Sequence, residues 1–119
     1  MEPTDDAEKF FQQLGGQDRE PLLAKVRGWV RFELLEPDRT DRWLVAVDRG
    51  AIAVSHSDGP AECTARLDRA LFVQLCRGEG NMIAALLRGA VVCIGDVELL
   101  FAIARLFPAF APERQPQRL

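Results

Sequence analysis

The apolar residues of this chain recur at every second position over its middle part and at a helical spacing on either side. Four segments with the period of two predict β-strands, at residues 28–35, 42–48, 51–55 and 62–67. Because short polar turns separate these segments, we expect them to form an antiparallel meander. A β-branched run at residues 91–94 predicts a fifth strand.

Helices are predicted where apolar residues recur every three or four positions. Their expected first or capping residues are Asp6, Pro21, Asp68, Asn81 and Asp96. The pattern therefore predicts an α+β fold in which a five-stranded, mainly antiparallel sheet is covered by helices.

The last predicted helix carries more apolar surface than a surface helix needs. Between Asp96 and Phe107 only Glu98, Ala102 and Arg105 form a stripe that tolerates water. Leaving three large apolar side chains in water would forgo roughly 5–9 kcal/mol, which is comparable with a whole domain's stability of about 5–15 kcal/mol. The helix must therefore be covered, either by the protein's own core, by an apolar ligand in a cavity, by a second copy, or by another protein.

Composition and charge narrow the possible functions. The 119 residues suffice for one domain with a real core, and 48% of them are hydrophobic. A net charge of -3 without a basic stripe argues against nucleic-acid binding. Charged residues interrupt the apolar stretch at residues 89–107, so no membrane span is expected. The acidic N-terminus does not resemble a signal peptide, and we expect a cytoplasmic protein.

Residues suited to catalysis or metal binding are scarce. His56 is the sole histidine, and beside a predicted turn it is expected to be exposed and without a role. Cys63, Cys76 and Cys93 are widely spaced and are expected to be buried, reduced thiols rather than a disulfide framework or a metal site. No nucleophile elbow, phosphate loop or dinucleotide fingerprint is present. We therefore expect no enzyme, no cofactor and no metal, with an acyltransferase as a distant alternative.

Four segments, in order, carry a family resemblance: GWVRFEL at residues 28–34, WLVAVDRG at 43–50, ARLD at 65–68 leading into Phe72 and Gly78, and LLRGAVVCIGD at 86–96. In this order and spacing the chain resembles the sterol carrier protein 2 (SCP2-like) sterol-binding domains. The resemblance spans about Phe10 to Phe107. We expect a single domain of this kind at residues 6–107, while the residues themselves indicate a disordered N-terminus at 1–5 and an extended or disordered tail at 108–119.

The resemblance also implies a ligand tunnel between the sheet and the helices, suited to a sterol, a fatty acid or an acyl-CoA. The implied lining residues are Phe32, Val45, Leu75, Met82, Leu86, Leu99, Leu100, Ile103 and Phe107. Each of them would equally suit a packed core. The expected function is a non-catalytic, bacterial carrier or sensor for an apolar molecule. The alternative is a ligand-free module that docks on a protein partner or on a second copy.

Overall fold

The structure, a computed structural model, describes residues 6–16 and 20–108. The elements in chain order are α1 (Asp6–Gly15), a 3-10 turn (Pro21–Leu23), β1 (Arg27–Glu36), β2 (Arg39–Asp48), β3 (Ala51–Ser55), β4 (Cys63–Asp68), α2 (Arg69–Cys76), α3 (Met82–Leu87), β5 (Val92–Gly95) and α4 (Val97–Ala104). The predicted α+β class with five strands is confirmed. The predictions for residues 1–5 and for the tail from residue 109 onward lie outside the described residues.

The five strands form one sheet in the order β3-β2-β1-β4-β5. All neighbours are antiparallel except β1 and β4, which run parallel. The predicted four-stranded meander is therefore wrong at its last strand, because β4 does not continue beside β3 but returns to the far side of β1. The connection at residues 56–62 makes this return possible, and the Glu62 N–H donates to the Trp29 carbonyl oxygen at 3.0 Å.

The sheet has one face covered by helices and one open face. On the covered face Val30, Phe32 and Leu34 of β1 are fully buried between inward side chains of β2 and β4. The alternate residues of the same strand, Arg31 and Glu33, lie on the open face. This alternation is the period-two pattern of the sequence, so the assignment of inward and outward positions follows directly from the residues.

Helix α4 lies on the covered face and begins at an N-cap. The Asp96 carboxylate accepts hydrogen bonds from the N–H groups of Glu98 and Leu99, at 3.1 and 3.4 Å. Gly28 of β1 leaves room for α4, since a Cβ there would lie 2.7 Å from a methyl group of Leu99. The helix thus packs directly on the strand.

The water-facing side of α4 is wider than the sequence predicts. Leu99, Leu100 and Ile103 are buried, but Val97 and Phe101 are 37% and 39% exposed. The core therefore buries Leu99, Leu100 and Ile103 but leaves Val97 and Phe101 partly in water. No helix among the described residues has both the length and the apolar character needed to cross a membrane.

Candidate functional site

The structure brings the nine predicted ligand residues into one layer between the sheet and the helices. Eight of them belong to a single buried hydrophobic cluster, and Leu86 packs against its margin. The most deeply buried, at no more than 1% exposed, are Phe32, Val45, Leu75, Met82, Leu100 and Ile103. They form a continuous apolar layer, and their role as ligand contacts stays a prediction.

Aromatic rings fill the middle of this layer. Phe11 of α1 stacks on Trp43 and on Phe72, with ring centroids 4.7 and 5.2 Å apart. Phe32 of β1 is tilted against both Phe11 and Phe72, at 5.6 and 5.5 Å. The ring of Phe11 therefore joins sheet and helices at the centre of the layer. The sequence predicts that Phe11 shares one apolar face of α1 with Phe10 and Leu14, but it does not show which residues the ring contacts.

A groove of about 510 Å³ opens where the aromatic layer reaches the surface. Its walls come from α1, the 3-10 turn, and the C-terminal ends of α2 and α4. The apolar lining consists of Phe10, Leu14, Pro21, Leu22, Cys76, Leu106, Phe107 and Pro108. Phe107 alone of the nine predicted residues lines this groove, and its ring stacks on Phe10 at 4.5 Å. The groove is thus continuous with the buried layer.

Three polar side chains also line the groove: Gln13, Glu20 and Arg105. The Glu20 carboxylate is already engaged, because it accepts a hydrogen bond from the Leu22 N–H at 3.0 Å and caps the 3-10 turn. Arg105 follows α4, is exposed, and forms no ion pair with any residue that the structure describes. The guanidinium of Arg105 is therefore a cation available to an anionic group in the groove.

A second polar cluster centres on Asp41 of β2, whose place in a polar turn of the sequence indicated a solvated acid but whose side chain is only 11% exposed. Its carboxylate accepts hydrogen bonds from Arg69 Nη1 at 2.7 Å and from Trp43 Nε1 at 3.0 Å, and it pairs with His56 Nε2. The His56 ring also stacks on Trp43 at 4.3 Å. His56 is exposed, as predicted, but its ring is held by Asp41 and Trp43. β2 and the turn after β3 bring these distant residues together, which local patterns do not reveal.

The electrostatics of this cluster keep Asp41 ionised. Burial by itself would raise the pKa of Asp41, but the hydrogen bonds from Arg69, His56 and Trp43 outweigh burial and lower it below 3.8. Within residues 6–16 and 20–108, no hydroxyl or thiol group hydrogen-bonds to His56, so the pair lacks the nucleophile of a hydrolytic triad. In the same residues no three His, Cys, Asp or Glu side chains are grouped to hold a metal ion.

Comparison with known proteins gives a family and a fold. The model of the SCP-2 sterol transfer family matches residues 8–108. The solution structure of the sterol carrier protein domain 2 of Helicoverpa armigera is similar, with 23% identity, 89% of each chain covered and a TM-score of 0.68. That of palmitated SCP2L2 from Aedes aegypti has 17% identity over 85% of this chain and 89% of that one, with a TM-score of 0.66.

A larger enzyme also contains this fold. The stereoselective inverting sec-alkylsulfatase Pisa1 from Pseudomonas sp. matches with 18% identity and a TM-score of 0.66, over 87% of this chain but only 16% of its own. A search among curated proteins gives no significant match. These structural likenesses bear on the fold alone, and the family match covers nearly all of the described residues.

Proposed function

Because the chain belongs to the SCP-2 sterol transfer family, we propose that it binds and carries an apolar small molecule, namely a fatty acid, an acyl-CoA or a sterol-like lipid. The observation that carries this proposal is the family match over residues 8–108 in a molecule whose apolar layer opens into a groove. The same match favours a carrier over a ligand-free interaction module. The proposed role is non-catalytic and cytoplasmic.

The apolar part of the ligand is proposed to enter the groove and to lie against Phe107. The groove's volume of about 510 Å³ lies within the range of small-molecule sites, roughly 300–1,000 Å³. Each methylene group buried there would contribute about 0.8 kcal/mol to binding. The other eight predicted residues would form the wall behind Phe107, where the thioether of Met82 can adapt to different ligand shapes.

Arg105 is proposed to orient the ligand by its headgroup. A guanidinium pairs with carboxylate or phosphate oxygens through charge-assisted hydrogen bonds. Since Arg105 has no ion pair with the described residues, it loses no existing partner when such a group binds. This favours a fatty acid or an acyl-CoA over a neutral sterol as the ligand.

Native mass spectrometry of the full chain purified from cells, followed by lipid extraction, tests the carrier proposal directly. Binding is then measured by titration with a fluorescent fatty acid. The variant Leu106→Asp places a charge in the groove and is expected to weaken binding at least about tenfold, because a carboxylate opposes an apolar chain.

The matched control is Leu87→Asp, which makes the same change at a side chain that is 82% exposed on α3. This variant is expected to bind as the unmodified protein does. The carrier proposal is wrong if no lipid co-purifies and the fluorescent fatty acid does not bind at micromolar concentrations.

Replacement of Arg105, the proposed partner of the ligand's anionic headgroup, gives a second prediction. Arg105→Gln is expected to lower the affinity for a fatty acid about tenfold, which corresponds to the loss of one charge-assisted hydrogen bond. The affinity for the fatty alcohol of the same length should not change, because it carries no anionic group. Arg88→Gln, at an exposed arginine after α3, serves as the control. Equal losses for acid and alcohol would contradict the assignment of Arg105 to the headgroup.

A further inference from the structure

Two cysteines lie side by side on the covered face of the sheet. In the antiparallel pair of β4 and β5, Ala65 is opposite Cys93 and Cys63 is opposite Gly95. Cys63 and Cys93 are therefore diagonal neighbours on the same face of the sheet. Their Sγ atoms are 3.6 Å apart, close enough for the two thiols to share a hydrogen bond.

The two thiols differ in access to water. Cys63 is fully buried, and burial together with the hydrogen bond to Cys93 raises its pKa to about 12. Cys93 is half-buried, on a strand that pairs with β4 alone among the described strands. A dissolved oxidant therefore reaches Cys93 first, because an exposed thiol is oxidised before a buried one.

We propose that Cys63 and Cys93 form an oxidation site, at which a peroxide converts the two thiols into an inter-strand disulfide. In the first step the Cys93 thiolate attacks hydrogen peroxide, the O–O bond breaks, and the departing hydroxide takes up a proton to become water. Cys93 is left as a sulfenic acid. In the second step the Cys63 sulfur loses its proton and attacks the Cys93 sulfur, and the S–O bond breaks to release a second water.

The product couples the redox state to the position of α4. The two sulfur atoms must approach from 3.6 Å to about 2.0 Å, the length of an S–S bond. The movement falls on β5, because it is the edge strand of the sheet and has four residues. Asp96 follows β5 and caps α4, so a shift of β5 is transmitted to the helix that covers the core. Neither Cys63 nor Cys93 lines the proposed ligand groove.

The experiment treats the reduced full chain with one equivalent of hydrogen peroxide, alkylates the remaining thiols, and records the intact mass and a peptide map. We expect a protein that has lost two hydrogen atoms and accepts one alkyl group, at Cys76. The peptide map should contain the linked Cys63 and Cys93 peptides, and a dithiol reductant should restore three reactive thiols.

Three variants test the role of each cysteine in the reaction. Cys76→Ser should still form the disulfide. Cys93→Ser should not react with the single equivalent of peroxide at Cys63. Cys63→Ala should stop at the sulfenic acid of Cys93, which a cyclic diketone traps. The proposal is overturned if the linked peptides contain Cys76 or join two chains, or if Cys93 of the unmodified protein is oxidised to the sulfinic acid while Cys63 stays open to alkylation.

Discussion

At the scale of single residues, Asp41 shows how a polar group is kept near the core. Its carboxylate is only 11% exposed, yet it accepts hydrogen bonds from Arg69 and Trp43 and pairs with His56. A carboxylate so placed would be costly without these donors. Because Arg69 is the first residue of α2 and Trp43 lies on β2, the Asp41 carboxylate also connects a helix to the sheet.

Replacement of Asp41 by asparagine is expected to lower the free energy of unfolding at neutral pH by about 1.5–3 kcal/mol, the range for hydrogen bonds to a charged group. The pKa of Asp41 is lower in the folded protein than in the unfolded chain, where it is near 3.8. The contribution of Asp41 to the free energy of unfolding is therefore fully present above about pH 5. It is lost as the pH falls through the pKa that Asp41 has in the folded protein.

Denaturant unfolding of the unmodified protein and of Asp41→Asn, at pH 7 and at successively lower pH values, measures this contribution. The difference between the two proteins should shrink as the pH falls below 3.8. A difference that stays constant over that range would show that the ionised carboxylate is not the stabilising species.

At the scale of elements, the sequence predicted the features that depend on residues close together in the chain, such as helix caps and the inward faces of strands. The caps at Asn81 and Asp96 are confirmed, and the Asn81 side chain accepts a hydrogen bond from the Ala84 N–H at 3.0 Å. The parallel pairing of β4 with β1 was missed, because alternation in a strand identifies its inward face but not its partner. The groove was missed for the same reason, since the ends of four separate elements form its walls.

The junction between β5 and α4 depends on Gly95, which has a φ of +105°. A Cβ at this position would lie 2.2 Å from the Glu62 carbonyl oxygen, far inside contact distance. Gly89 is the matched control, because its φ is +83° but a Cβ there meets nothing within 4 Å. The two glycines thus share the unfavourable φ and differ in the space available.

Gly89→Ala is expected to cost about 1–2 kcal/mol for the left-handed backbone alone. Gly95→Ala should cost clearly more, because β5 must also move away from β4. Thermal unfolding of both variants checks this, together with hydrogen exchange of the amides of β5 and α4. If both variants lose the same stability, the contact between a Cβ at position 95 and the Glu62 carbonyl oxygen does not contribute to the cost of Gly95→Ala.

At the scale of the whole molecule, the two faces of the sheet have different characters. The centre of the open face is charged, with the Nε atoms of Arg31, Arg42 and Arg66 within 3.1–3.3 Å of the Glu33 carboxylate. The open face of the edge strand β5 is apolar instead, and Ile94 there is 53% exposed. An apolar edge strand is a template for pairing between molecules.

Ile94→Lys is therefore expected to slow aggregation on heating while changing the free energy of unfolding by no more than about 0.5 kcal/mol. Light scattering during a temperature ramp, alongside circular dichroism, separates the two quantities. Leu87→Lys adds the same charge on α3, away from the sheet edge. Equal protection by both variants would mean that net charge, rather than the edge of β5, controls aggregation.

The contact between Phe10 and Phe107 joins the first and last helical regions of the described chain. Both rings also meet Phe72, at 5.8 and 5.6 Å, so this corner of the core contains residues from widely separated parts of the sequence. During synthesis on the ribosome α1 and the first four strands emerge well before Phe107 does. The nascent domain must leave this apolar corner unfilled until α4 has left the exit tunnel, so apolar surface stays open to aggregation over most of its translation.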